Sequence, residues 1–221
     1  MDRTVVRNRP LHEQAIDQLR EMIVEGALKP GARISEKDLC DSLEISRTPL
    51  REALKVLAAE GLITLFARRG AAVSDLTSEK LGEKFEAIRM VEAFALSRAS
   101  EDNVGPLVDQ LQAIQDEMAT ALAKGNVKRY FASNEQFHKA IVASTGNETL
   151  IDIHTSLSGH LRRARVFGLH SRPIDHKFIN EHARVIKALR KGDFAGAQKE
   201  ISSHLSAVER GVLKVLEGHG Q

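Results

Sequence analysis

The sequence predicts a mainly α-helical chain in two parts. Residues 1–75 hold three helices plus a β-hairpin, and residues 76–221 form an all-α bundle of about six helices. Three observations predict this. Apolar residues recur at helical spacing along most of the chain. Two short β-like runs, 62–66 and 71–74, occur together, and no convincing strand follows Leu76. Beyond that point, helical stretches are separated mostly by glycine stops followed by Asn or Asp starts.

Leu11, Ala15, Leu19, Met22 and Ile23 give an amphipathic helix over about 11–25, stopped by Gly26 and followed by a turn at Pro30-Gly31. Ser35, with Asp38 three residues on, reads as the N-cap of a short helix over about 36–43. After Glu44-Ile45, Ser46 caps a third helix. Its buried stripe is Leu50, Ala53, Leu54 and Leu57, and its opposite, N-terminal face carries Arg47, Thr48 and Arg51. Pro49 sits in the first turn, where a missing N–H costs nothing, and Gly61 ends the helix. The two β-like runs flank Ala67-Arg68-Arg69-Gly70, a hairpin with a basic tip. In this order the elements make a winged helix-turn-helix. The bundle helices run over about 78–100, 103–124, 126–145, 147–168, 173–191 and 193–217, with short connections that predict antiparallel neighbours.

No run approaches the ~18 apolar residues of a membrane helix, and the start MDRTVVRNRP lacks the apolar centre of a signal peptide. Cys40 is the single cysteine, so no intrachain disulfide forms. A soluble cytoplasmic protein is expected. Cys40 reads as a core residue of the second helix, in preference to a redox switch. The net charge of +2 is uninformative, but its distribution is not. Residues 46–70 carry Arg47, Arg51, Lys55, Arg68 and Arg69 against Glu52 and Glu60, and the first nine residues add Arg3, Arg7 and Arg9 against Asp2. Such clusters suit a solvated surface or a nucleic-acid footprint. With aromatics at 4% there are few platforms for stacked single strands, which favours duplex DNA. A recognition helix presents its N-terminal side chains to base edges, and Arg can bond both acceptors of guanine at once.

These residues carry a specific resemblance. The turn G-A-L-K-P-G, the helix S-R-T-P-L-R-E-A-L, the strand start E-G-L-I and the wing glycine resemble the DNA-binding domain of GntR-family repressors over nearly all of residues 10–74. The resemblance implies base or nearby phosphate contacts for Arg47 and Arg51, and backbone contacts for Ser46, Thr48 and Gly70. Lys37 stands where the family usually places a basic DNA contact, and the wing tip adds Arg68 and Arg69.

Nine histidines raise a second question. His138 follows Asn134 by four residues and so shares its helix face. His182 and His204 sit beside apolar residues on the last two helices. Three imidazoles and one oxygen ligand from three helices are a set that suits a divalent metal, and equally the pattern of satisfied core histidines. His12, His154, His160, His170, His176 and His219 read as structural. The segments N-E-Q-F-H, E-H-A-R-V-I-K-A-L and S-S-H-L look like the FCD ligand-binding domain of the FadR subfamily. That resemblance implies a metal held by Asn134, His138, His182 and His204: zinc first, with nickel, iron or manganese as alternatives. Asn134 departs from the usual Asp and supplies a weaker, uncharged oxygen. Arg89, in FEAIRMVEAFA, stands where the subfamily usually has an arginine near the ligand. It would receive a small organic acid, or else pair with Glu86, Glu92 or another acid. The resemblance further implies a homodimer on a near-palindromic operator, most simply a repressor, coupled to the ligand through the linker at residues 74–78. A metal-ion-sensing repressor, a metal-dependent enzyme and a protein-binding module are the rival readings. No general base or nucleophile stands out for an enzyme, so no catalytic residue is assigned.

Overall fold

The computed structural model describes residues 10–67, 69–102, 104–169 and 177–219. Arg3, Arg7, Arg9, Arg68, His170, His176 and the helix break expected at 171–173 lie outside the described residues. The chain divides into two compact units, Met1–Leu76 and Thr77–Gln221.

In the first unit, α1 (Leu11–Val24), α2 (Glu36–Leu43) and α3 (Arg47–Ala59) pack around one core. The buried faces of α1 (Leu19, Ile23) and α3 (Leu50, Leu54, Leu57) follow the expected helical spacing. Arg20 clamps them with two hydrogen bonds, Nε and a terminal nitrogen donating to the two oxygens of Glu60 at 3.1 and 2.7 Å. Ser35 caps α2, its hydroxyl accepting from the Asp38 N–H at 3.3 Å. A three-stranded antiparallel sheet, in the order β1-β3-β2, completes the unit. The hairpin of β2 (Ile63–Phe66) and β3 (Gly70–Val73) pairs Ile63 with Val73 and Phe66 with Gly70. The strand β1 (Arg33–Ile34), which the sequence pattern did not reveal, pairs Arg33 with Ala72. Two residues are too short for alternation to show, so only the register against β3 identifies it.

The second unit is helical throughout its described residues: α4 (Ser78–Ser97), α5 (Val104–Ala123), α6 (Val127–Ala143), α7 (Glu148–Leu169), α8 (Lys177–Arg190) and α9 (Phe194–His219). Thr77 caps α4, accepting from the Lys80 N–H, and Asn126 caps α6, accepting from the Arg129 N–H. Phe85, Leu111, Phe137, Ile141 and Ile201 are fully buried at its centre. Gln115 of α5 donates to the Ile179 carbonyl at 2.7 Å and so anchors α8. Among the described residues, no helix is long and apolar enough to cross a membrane.

Candidate nucleic-acid interface and metal centre

The turn between α2 and α3 is set by Glu44, whose φ of 53° is left-handed, with its N–H bonding back to the Cys40 carbonyl. A non-glycine residue there folds the chain in two residues instead of extending α2. The N-terminus of α3 thereby stands clear, with Arg47, Thr48 and Arg51 exposed. Lys37, in the first turn of α2, is exposed as well. Ser46 is the N-cap of α3, yet its side chain accepts no capping bond, so the helix does not consume its hydroxyl. Arg51 Nε donates to Glu36 Oε2 at 2.9 Å, linking α3 to α2. An exposed pair of this kind is worth ~0–1 kcal/mol, less than the ~1–3 kcal/mol of a good bidentate base contact. Glu36 therefore holds the guanidinium only weakly. On the wing, Arg69 is exposed. Gly70 has φ +83°, and a Cβ there would meet nothing within 4 Å, so backbone conformation and not crowding calls for glycine.

In the second unit, His138 of α6, His182 of α8 and His204 of α9 converge, all buried, with one ring nitrogen from each within 4.8 Å of the others. The Nε2 atoms of His182 and His204 are 3.1 Å apart. Carboxylates stand behind two of the rings. Glu92 of α4 lies 2.7 Å from His138 Nδ1, and Glu181 of α8 lies 2.8 Å from His204 Nδ1. A ring that donates Nδ1–H to a carboxylate turns its Nε2 lone pair the other way, into the cluster. His138 Nε2 and Asn134 Nδ2 are both buried without a hydrogen-bond partner. Leaving such a group bare costs ~1–3 kcal/mol, and a cation bound to His138 Nε2 would offset that cost. The donor set therefore fits a divalent ion of the zinc class. Asn134 is buried one turn before His138 on the same helix.

Burial pushes the Glu92 carboxyl up, but the charge and hydrogen bond of His138, followed by those of His154, outweigh it and hold the group down at about 2. Glu92 has no exposed surface. Beside it lies a small cleft lined by Ile88, Glu92, Phe131, Glu135, His138, Ser158, Leu161 and Arg162. Arg162 Nε is 3.9 Å from the Glu135 carboxylate. Arg89 is not part of this lining. One of its terminal nitrogens donates to Glu209 at 2.6 Å and to Ser206 at 3.1 Å, pinning α4 to α9. Sequence reasoning missed Glu181 and Arg162. It met Glu92 only as a rival for Arg89, and read His154 as structural.

Comparison with known proteins shows two matches along the chain. Residues 11–73 match the model of bacterial regulatory proteins of the gntR family, and residues 83–207 match the FCD domain. An HTH-type transcriptional regulator of Streptomyces ambofaciens is 30% identical over 192 residues, covering 86% of this chain and 80% of the relative. The gluconate operon transcriptional repressor of Bacillus licheniformis is 29% identical over 181 residues, covering 80% of this chain and 74% of the relative. Among solved structures, E. coli McbR/YncC superposes with a TM-score of 0.79 at 21% identity, covering 96% of this chain and 99% of that one.

Proposed function

The chain belongs to the GntR family of bacterial regulatory proteins, with an FCD domain as its second unit, and we propose that it is a metabolite-responsive repressor. It is a transcriptional regulator; its family and relatives regulate genes and are not enzymes. As a homodimer it grips a near-palindromic duplex operator through two copies of the same face. Arg47 and Arg51 enter the major groove, Lys37, Ser46 and Thr48 fix the helix pair on phosphates, and Arg69 and Gly70 bring the wing to the backbone. The ligand-responsive part is the second unit. His138, His182 and His204, with Asn134 as the weak fourth ligand, hold a divalent ion, zinc first. The ion supplies an electrophilic anchor for a carboxylate. Arg162 in the adjoining cleft takes the far end of the same small acid, while Arg89 keeps α4 on α9. The relative named for the gluconate operon makes a sugar acid a natural first probe.

The observation that carries this reading is the buried three-histidine cluster beside a cleft that His138 and Arg162 line together with Glu92, Glu135 and three apolar side chains. Ligand coupling of the usual ~1–3 kcal/mol gives a ~5–150-fold change in DNA affinity. The test selects duplexes from a random library, then measures anisotropy of the selected site with Zn²⁺ and a panel of sugar acids and hydroxy acids. Recovery of an inverted repeat, with affinity altered at least fivefold by one of these acids, is expected. A site without two-fold symmetry, or affinity indifferent to every acid, would overturn it. A full response to Zn²⁺ alone would make the ion itself the signal.

A further inference from the structure

The buried stripe of α4 runs through Leu81, Phe85 and Ile88 and then reaches Glu92, a carboxylate where the spacing calls for an apolar side chain. Both of its oxygens are used. Oε2 lies 2.7 Å from His138 Nδ1, and Oε1 lies 3.1 Å from His154 Nε2. His154 is itself buried, at 1% exposure, and its Nδ1 lies 3.3 Å from the Ser158 hydroxyl. Ser158 lines the cleft. A continuous chain of polar contacts therefore runs from the cleft wall on α7, through α4, to the histidine cluster on α6.

Each Glu92 oxygen stands within hydrogen-bond distance of one ring nitrogen, and the chain closes when the carboxylate accepts from both rings. In that arrangement His138 carries its hydrogen on Nδ1 and His154 carries its own on Nε2. In the neutral rings, the other nitrogens are then acceptors. His154 Nδ1 takes the Ser158 hydroxyl hydrogen. His138 Nε2 is left with a bare lone pair, on the ring that joins His182 and His204 in the cluster. The other carboxylate arm differs: Glu181 sits on α8 beside its own neighbours, and neither it nor His204 lines the cleft.

We propose that Glu92 is a positioning residue that, through the chain Ser158–His154–Glu92–His138, fixes the tautomer of His138 and ties the metal centre to the effector cleft. The inference rests on reading the three-histidine cluster as a metal centre. Glu92 touches neither ion nor effector and acts only through the rings it orients. The effector, on entering the cleft, meets Ser158 and thus one end of a bonded chain whose other end is a metal ligand. Metal affinity and effector affinity are coupled by that route.

The test starts from ¹⁵N-labelled full-length protein, freed of divalent ions and held at mildly alkaline pH. Long-range ring correlations are expected to show His138 protonated on Nδ1 and His154 on Nε2. In Glu92→Gln the amide offers one acceptor and one donor group, so it cannot accept from both rings. One imidazole should change tautomer, and Zn²⁺ affinity, measured by chelator competition, should fall about 10–100-fold with helix content unchanged. Ser158→Ala should shift the His154 ring signals, and unchanged His154 signals would break the chain at its first link. The proposal is overturned by His138 protonated on Nε2 in the unaltered protein, or by Glu92→Gln keeping both tautomers and full Zn²⁺ affinity. The wild-type tautomers and Ser158→Ala decide the matter even where Glu92→Gln fails to fold. Absence of Zn²⁺ binding in the wild-type protein would sink the metal reading, whereas the tautomers, read without metal, separately test the chain.

Discussion

Stripping divalent ions with a chelator and then restoring Zn²⁺ perturbs the candidate centre without altering a residue. The three donor histidines come from α6, α8 and α9 and lie as far apart in sequence as 138 and 204. They meet in the folded chain and scatter in the unfolded one, so the ion favours the fold. At a free concentration 100 times the dissociation constant, the gain is about 2.7 kcal/mol. For a domain approaching 150 residues, each kcal/mol raises the melting temperature by roughly 2–4 °C. Zn²⁺ should therefore raise the transition of the unit Thr77–Gln221 by about 5–11 °C in differential scanning calorimetry of the full chain. The transition of the first unit should not move. His204→Gln removes one nitrogen donor and should abolish most of the rise. Asn134→Asp replaces an amide oxygen by a charged one and should enlarge it. The reasoning is refuted if Zn²⁺ leaves the second transition in place, or stabilises His204→Gln as much as the unaltered protein.

Three further outcomes follow from the geometry. Arg51→Ala should weaken binding to the selected duplex by ~1–3 kcal/mol and relax sequence preference, whereas Lys37→Ala should weaken all duplexes alike and lower the salt slope by about 1; equal effects on matched and mismatched sites would remove Arg51 from the base-reading set. Arg162→Met keeps the apolar stem and deletes the charge, so the acid effector should lose potency while DNA affinity without effector stays put, as anisotropy titrations would register. Leu54→Ala empties a site that is 2% exposed under α3 and should cost ~2–5 kcal/mol; a first-unit melting transition that did not shift would mean the helix face was misassigned.

The parts that could be read in advance are those that periodicity encodes. Leu50, Leu54 and Leu57 on one face of α3 leave Arg47, Thr48 and Arg51 on the other, and the structure has them so. The hairpin was legible because Gly70 needs its positive φ at the tip. The strand β1 was not, since two residues have no period and their pairing to β3 is a tertiary fact. The same division runs through the second unit. Spacing places His138, His182 and His204 on apolar helix faces, but it says which way a residue points and never what it points at. Arg89 faces its partners Ser206 and Glu209 across 117 and 120 residues of sequence, and Glu92 faces His138 and His154 across 46 and 62.

One signal was available all the same. Leu81, Phe85, Ile88 and Glu92 share one stripe at helical spacing, with Ala95 and Leu96 beyond. An unpaired carboxylate in that stripe would be neutralised or expelled, because desolvating its charge costs several kcal/mol. A glutamate that must stay there therefore implies at least two N–H donors brought from elsewhere in the fold. With Arg89 three residues upstream, the nearest cation in sequence looked like the partner. Three residues leave the two side chains about 60° apart around the helix, and on α4 that offset suffices to send them to different neighbours: Arg89 to α9, Glu92 to α6 and α7. The carboxylate at Glu92 had to be answered by donors on facing helices, and His138 is the donor whose remaining nitrogen could also hold an ion.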